Sequence, residues 1–232
     1  VKDWHCVAPL AHKDDKLLVS DLGNLEAALR SVGDSHAAPP VDSFMTAASP
    51  GVISFFIRNN YYPSHRAYIE ALAEVLQQEY EAIHRAGHLV QIDCPDLAMG
   101  YHSGPLEWRT KSIPEFREQC ALHIEALNHA CRNIPAERLR LHLCWGNYEG
   151  PHHYDVEFKD VAQEVFKFKG NYLLMETANP RHSHEVDDFR SLFRLPDSKV
   201  IVPGVVDVKT NYIEHPRLIA KRLKEWVSVI GS

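Results

Sequence analysis

Short apolar strands alternating with amphipathic helices predict an α/β protein, and a (β/α)8 barrel of the TIM type is the member of that class expected here. Three observations carry this. Five strand-like segments alternate with helices along most of the chain, and such alternation implies a parallel sheet with right-handed crossovers. Several of these strands are apolar on both faces, as buried parallel strands are. Polar residues stand at the strand ends, where barrels of this kind place their chemistry. An open doubly wound sheet also fits the alternation, but no Gly-rich phosphate loop follows any strand. A full barrel takes about 250 residues and eight strands. With 232 residues and five legible strands, the barrel is expected to be incomplete, as a single domain over residues 1–232.

The elements follow in order. Between Asp21 and Ser31, Leu22, Leu25, Ala28 and Leu29 hold helical spacing. Residues 33–40 read as a loop. Ser43 to Ala48 is the first strand, stopped by Ser49-Pro50-Gly51. Ser64 caps a long helix on which Tyr68, Leu72, Val75, Leu76 and Ile83 share a face, up to Gly87. His88 to Asp93 is the second strand, cut off by Cys94-Pro95. Ser112 and Glu115 form a capping box, and Pro114 sits in the first turn. That helix runs through Phe116, Cys120, Ile124, Leu127 and Cys131. Leu139 to Trp145 is the third strand, and Gly146 to Asp155 is a polar, His-rich loop. A helix from Phe158 to Phe168 precedes the fourth strand, Tyr172 to Glu176. A helix from His184 to Phe193 precedes the fifth, Lys199 to Val202, ended by Pro203-Gly204. Pro216 to Val229 is the last helix.

Composition excludes several classes of function. Lys plus Arg is 25 against 31 Asp plus Glu, a net charge of −6, which argues against nucleic acid or an anionic membrane as partner. No apolar run approaches the roughly 18 residues of a membrane span. The start, Val1-Lys2-Asp3-Trp4-His5, is not a signal peptide and lacks Met. Five cysteines, an odd number, suggest reduced thiols and a cytoplasmic setting rather than a disulfide scaffold. Fifteen histidines, several of them clustered, make metal chemistry worth testing. There is no Gly-x-Ser-x-Gly elbow and no His-Glu-x-x-His, so serine hydrolase and metalloprotease readings lack support.

The sharpest local signal is Leu141-His142-Leu143-Cys144-Trp145. On a strand, residues i and i+2 face the same way. His142 and Cys144 therefore project together near the strand end, as an imidazole and a thiol suited to zinc. Burial of both in the core is the alternative. Glu176 ends the next strand, where it either completes a His-Cys-Glu set or pairs with Arg181 or Lys209. Asp93 ends an earlier strand, to hold a substrate ammonium or to cap its own turn. Adjacent His152 and His153 point apart and suit a loop over the site. His182 and His184 read as surface residues, and Cys6, Cys120 and Cys131 as structural. Cys94 leads from Asp93 into the mouth. Trp145 and the Tyr61-Tyr62 pair suit either stacking on a flat substrate or packing in the core.

Taken together, these residues resemble the cobalamin-independent methionine synthase family, in its short single-barrel branch. The likeness rests on an ordered set of segments from about Phe44 onward. They are Gln91-Ile92-Asp93-Cys94-Pro95-Asp96-Leu97-Ala98, then His142-Leu143-Cys144-Trp145-Gly146-Asn147-Tyr148-Glu149-Gly150-Pro151. Met175-Glu176-Thr177-Ala178-Asn179-Pro180 follows, then Val202-Pro203-Gly204-Val205-Val206-Asp207. The resemblance implies a (β/α)8 barrel with a catalytic zinc held by His142, Cys144 and Glu176. It places a fourth ligand beyond Ser232 and a first strand before Val1, so the barrel is expected to be incomplete at both ends.

The chemistry implied is transfer of a methyl group to a thiol such as homocysteine. Asp93 matches the position that holds the substrate ammonium, and Trp145 and Asn147 are expected at the substrate. Lys209 stands near the place of the family's proton-donating His, and Cys94 replaces an acid common in the long enzymes. The implied partners are a small-molecule thiol and an alkyl donor. A related expectation is alkyl transfer from an epoxide to a thiol such as coenzyme M, with Lys209 or His153 protonating the opening oxygen. A metal-free barrel acting as a binding protein is the reading outside enzymes.

Overall fold

The computed structural model describes residues 4–35, 40–103, 111–192 and 194–231. Strand β1 (Trp4–Cys6) is followed by α1 (Lys16–Ser35), β2 (Phe44–Ala48), α2 (Pro50–Phe56) and β3 (Ile57–Asn59). Next come α3 (His65–Arg85), β4 (Leu89–Asp93), a 3-10 turn at Pro95–Leu97, α4 (Gly100–Ser103) and α5 (Ile113–Ala130). The chain continues through β5 (Leu139–Leu143), α6 (Phe158–Val165), β6 (Tyr172–Glu176), α7 (Val186–Ser191), β7 (Val200–Gly204) and α8 (Pro216–Ile230). Five strands form one parallel sheet in the order β2-β4-β5-β6-β7. They are the five strands expected from the sequence, joined by the expected helical crossovers.

Alternation along these strands sorts residues onto two faces. Leu139, Leu141 and Leu143 of β5, Leu173 and Met175 of β6, and Ile92 of β4 are buried. They meet α3, α5 and α6, which pack side by side and contribute Tyr68, Leu72, Phe116, Ile124, Leu127, Phe158 and Val161 to one core. Each fully buried Leu, Ile or Phe contributes about 1.5–3 kcal/mol, so this face holds the strands in register. The opposite face carries Gln91 and Asp93, Arg140 and His142, Leu174 and Glu176, which are only half-buried. The register sets Asp93 beside His142 and Leu143 beside Met175. Polar strand ends therefore line up on the face away from the helices.

Caps fix where the helices start. Ser64 Oγ accepts from Ala67 N at 3.1 Å at the head of α3. Ser112 N donates to Glu115 Oε2 at 2.8 Å in the expected capping box of α5.

Several elements differ from the sequence expectation. Ser49-Pro50-Gly51 opens α2 rather than merely ending β2. Ser49 Oγ accepts from Val52 N at 3.0 Å, and Pro50 occupies the first turn. Turn signals and helix-start signals use the same residue types. β1 and β3 pair with each other in parallel and were not anticipated, because three residues are too few to show a period. α1 extends to Ser35, into the expected loop. Phe193, the expected end of α7, lies outside the described residues. None of the described helices is long and apolar enough to cross a membrane.

Candidate functional site

The C-terminal ends of β5, β6 and β7 converge on a cavity of about 350 Å³, with the end of β4 beside β5. His142 and Cys144 lie on its wall with Asn147, Glu176, Gly204 and Lys209. Leu174, Val202, Val206 and Val208 supply an apolar side. His142 reaches the cavity because β5 buries the leucines on either side of it and turns the intervening residues outward. Gly146 then takes φ +81°, a left-handed conformation natural to glycine. It turns the chain so that Asn147 faces the cavity.

Asp93, His142 and Cys144 form one ligand-capable group, their donor atoms all within 4.8 Å of one another. His142 Nε2 is 3.8 Å from Asp93 Oδ1, and that buried Oδ1 makes no hydrogen bond among the described residues. Burial raises the Asp93 carboxyl above its usual range, with His142 acting against the rise. Burial also pushes the Cys144 thiol up to about 11. Glu176 lies in the same cavity but bonds through Oε2 to Lys209 Nζ. Its Oε1 is buried without a hydrogen bond. The pairing with Lys209 is one of the two arrangements the sequence leaves open for this carboxylate.

The donor chemistry fits a zinc ion. An imidazole, a thiol and carboxylates are its ordinary ligands. Two of these groups, Asp93 and Glu176, keep an orphaned buried oxygen at the site. A metal there would be held by His142 and Cys144, with Glu176 or Asp93 as the carboxylate.

The remaining expected residues fall in different places. Trp145 is buried, donates from Nε1 to Val156 O at 2.7 Å, and stacks on His182 at 3.8 Å. Its ring is thus part of the wall behind Cys144 and has no face open to a substrate. His153 is exposed against Tyr154, outside the cavity lining. Cys94 is buried below the mouth, its thiol far above the usual range through burial and then the nearby Asp96. Tyr62 packs on Tyr68 and accepts from Leu10 N at 2.8 Å, an architectural role.

A second cluster lies behind Trp145. His182 is 1% exposed, whereas the sequence suggested a surface position. His152 Nδ1 and His182 Nε2 both bond Asp155 Oδ2, at 2.7 and 2.8 Å. Burial alone would raise the Asp155 carboxyl, but the bonds from His182 and His152 hold it below its usual range. For His182, burial opposes the charge, and the bonds to Asp155 and Glu185 outweigh it, so its pKa is raised. The legible signal is a repeated spacing, His152-x-x-Asp155 and His182-x-x-Glu185, in the loops after β5 and β6.

Comparison with known proteins gives these sites a context. No family model matches the chain. A methionine synthase of Pyrococcus furiosus is 29% identical over 189 residues, covering 78% of this chain and 46% of that protein. One of Pyrococcus horikoshii is 28% identical over 177 residues, covering 76% and 43%. One of Sulfurisphaera tokodaii is 26% identical over 181 residues. The chain is similar in sequence to these methionine synthases. It spans less than half the length of these relatives. The fold agrees too. The structure of a B12-independent methionine synthase from Shewanella sp. W3-18-1, in complex with selenomethionine, matches with a TM-score of 0.71 and 18% identity. That match covers 97% of this chain and 59% of the Shewanella chain. The expected resemblance to methionine synthases is thereby borne out, and the parallel α/β fold is that of the Shewanella structure.

Proposed function

We propose that the protein is a zinc-dependent transferase that moves a methyl group onto a thiol such as homocysteine. The observation that carries this is the convergence of Asp93, His142 and Cys144 at adjoining strand ends, in a chain similar in sequence to methionine synthases. Zinc bound there would lower the pKa of a substrate thiol, so that it is a thiolate at neutral pH. Asp93, half-buried at the end of β4, offers a carboxylate to a substrate ammonium. Val202, Val206 and Val208 keep water from one side of the cavity, which protects a thiolate from solvation. Lys209 Nζ, bonded to Glu176 in the same cavity, is placed to hold or deliver a proton. That position also favours a second reading, in which the donor is an epoxide and Lys209 protonates the oxygen released on opening. The partners are then a small thiol and an alkyl donor, in a reducing cytoplasm where the five free cysteines stay reduced.

The test is zinc content beside activity. His142→Ala and Cys144→Ala should each lose about one zinc per chain, and with it all thiol-dependent consumption of a methyl donor. Retention of the parent's full zinc complement by both variants would exclude this site. A parent with no thiol-dependent turnover of methyl donors or epoxides would leave a binding protein.

A further inference from the structure

The cluster behind Trp145 turns two imidazole nitrogens onto a single oxygen of an ionised carboxylate, Asp155 Oδ2. His152 Nε2 faces the carbonyl of Tyr148 at 2.7 Å, so that nitrogen must carry a hydrogen. His182 Nδ1 faces Glu185 Oε1 at 3.3 Å, a carboxylate that already accepts from Phe158 N at 2.9 Å. The other nitrogen of each ring turns to the same oxygen, Asp155 Oδ2. A neutral imidazole has one hydrogen. If the outer nitrogens hold it, both inner nitrogens present lone pairs to a carboxylate. For His152, whose outer nitrogen is committed to a carbonyl, a proton or a cation must therefore sit between Nδ1 and Asp155, while His182 can share that charge or donate from Nε2.

Three features favour the cation. Each ring is tied from outside, His152 to a backbone carbonyl and His182 to a carboxylate, which is how metal-binding imidazoles are oriented. His152, Asp155 and His182 have donor atoms all within 4.8 Å of one another. Asp155 Oδ1 is buried without a hydrogen bond among the described residues, and His102 Nδ1 lies 3.3 Å from it. The geometry points to a second metal site, a structural one for zinc or a similar borderline divalent cation, held by His152, Asp155 and His182 with His102 alongside. It joins the loop after β5, the loop after β6 and α4. It thereby anchors the segment that carries Asn147 over the cavity. Arg181 strengthens the same joint, donating from Nε to His152 O at 3.2 Å and from Nη2 to Asp155 O at 3.3 Å. The residues are distinct from those at the cavity, so this inference stands apart from the proposed transferase reaction.

The experiment is zinc analysis with X-ray absorption on the intact protein, after equilibration with zinc and removal of excess. Cys144→Ala should retain about one zinc, with only nitrogen and oxygen neighbours at about 2.0–2.1 Å. His182→Ala should retain about one zinc as well, now with a sulfur neighbour at about 2.3 Å. A folded Cys144→Ala protein without zinc would overturn the second site and leave the proposed catalytic site standing. Zinc that is kept in Cys144→Ala and lost in His182→Ala, with no sulfur neighbour in the parent, would support the second site alone. Should His182→Ala fail to fold, a His142→Ala/Cys144→Ala protein that keeps about one sulfur-free zinc supports the second site, and one that keeps none overturns it.

Discussion

Glu176 stands between two partners that compete for it. Its Oε2 is bonded to Lys209 Nζ, and the two side chains are 11% and 3% exposed. Where Glu176 rather than Asp93 is the carboxylate of a metal at His142 and Cys144, Lys209 is its competitor. Lys209→Met should then move two measurements in opposite directions. In metal-free protein it strands a buried carboxylate, at a cost of about 3 kcal/mol, seen as a lower urea midpoint. In zinc titrations it frees the ligand, and affinity should rise by about tenfold, roughly 1.4 kcal/mol. An unchanged zinc affinity would show that Glu176 is not a ligand. Much of this was legible in sequence. Period-two spacing pointed His142 and Cys144 to one face, and they do share the cavity although β5 ends at Leu143. Glu176 was conspicuous as a charge after an apolar strand. His182 was legible only as a spacing to Glu185, since its partner Asp155 lies on another loop, and only the fold brings His152 to the same oxygen.

Among the elements, those with enough residues to display a period were readable, and the short ones were not. β4, β5 and β6 declared themselves by apolar runs, and α3 and α5 by their stripes and caps. α2 was hidden because its opening residues also spell a turn. Its first turn is nonetheless tightly specified. A Cβ on Gly51 would lie 1.9 Å from Asp96 Oδ2 and 2.6 Å from His123 Nδ1. Those two side chains are bonded to each other at 2.7 Å, and Asp96 Oδ1 accepts from Ser49 Oγ at 2.8 Å. Both are almost fully buried, at 1% and 3% exposure, so neither can swing aside into solvent. Gly51→Ala should therefore cost about 1–3 kcal/mol of stability, as overpacking does, although alanine has the better helix propensity. A Tm equal to or above the parent's would refute this packing argument. Because α2 lies away from the cavity lining, zinc bound by the folded fraction should be unchanged.

The buried link beside α2 reaches the behaviour of the whole molecule through pH. From Asp96 it passes to His123, and His123 Nε2 lies 3.0 Å from His65 Nε2. His65 is the first residue of α3, at the positive end of the helix dipole. Burial, then the neighbouring His123 and Lys111, lower its pKa from 6.5 to about 4, against a smaller opposing pull from Asp96. The unfolded chain thus takes up this proton near pH 6.5, while the folded chain resists it until about pH 4. Between those values the unfolded state binds more protons, so stability falls as the pH is lowered. The contribution is fully present above about 6.5 and is lost by about 4, below which this group adds no further slope. Carboxylates titrate at the lower end of the same window, so the comparison must be with a variant. His65→Gln keeps a hydrogen-bonding group beside His123 but cannot take a charge. The fall in urea midpoint between pH 6.5 and pH 4 should be shallower in His65→Gln than in the parent, with the two curves closing on one another as acid is added. Parallel curves would mean that His65 titrates alike in both states, and that the four-residue link from Ser49 to His65 imposes no penalty on a charge at its end.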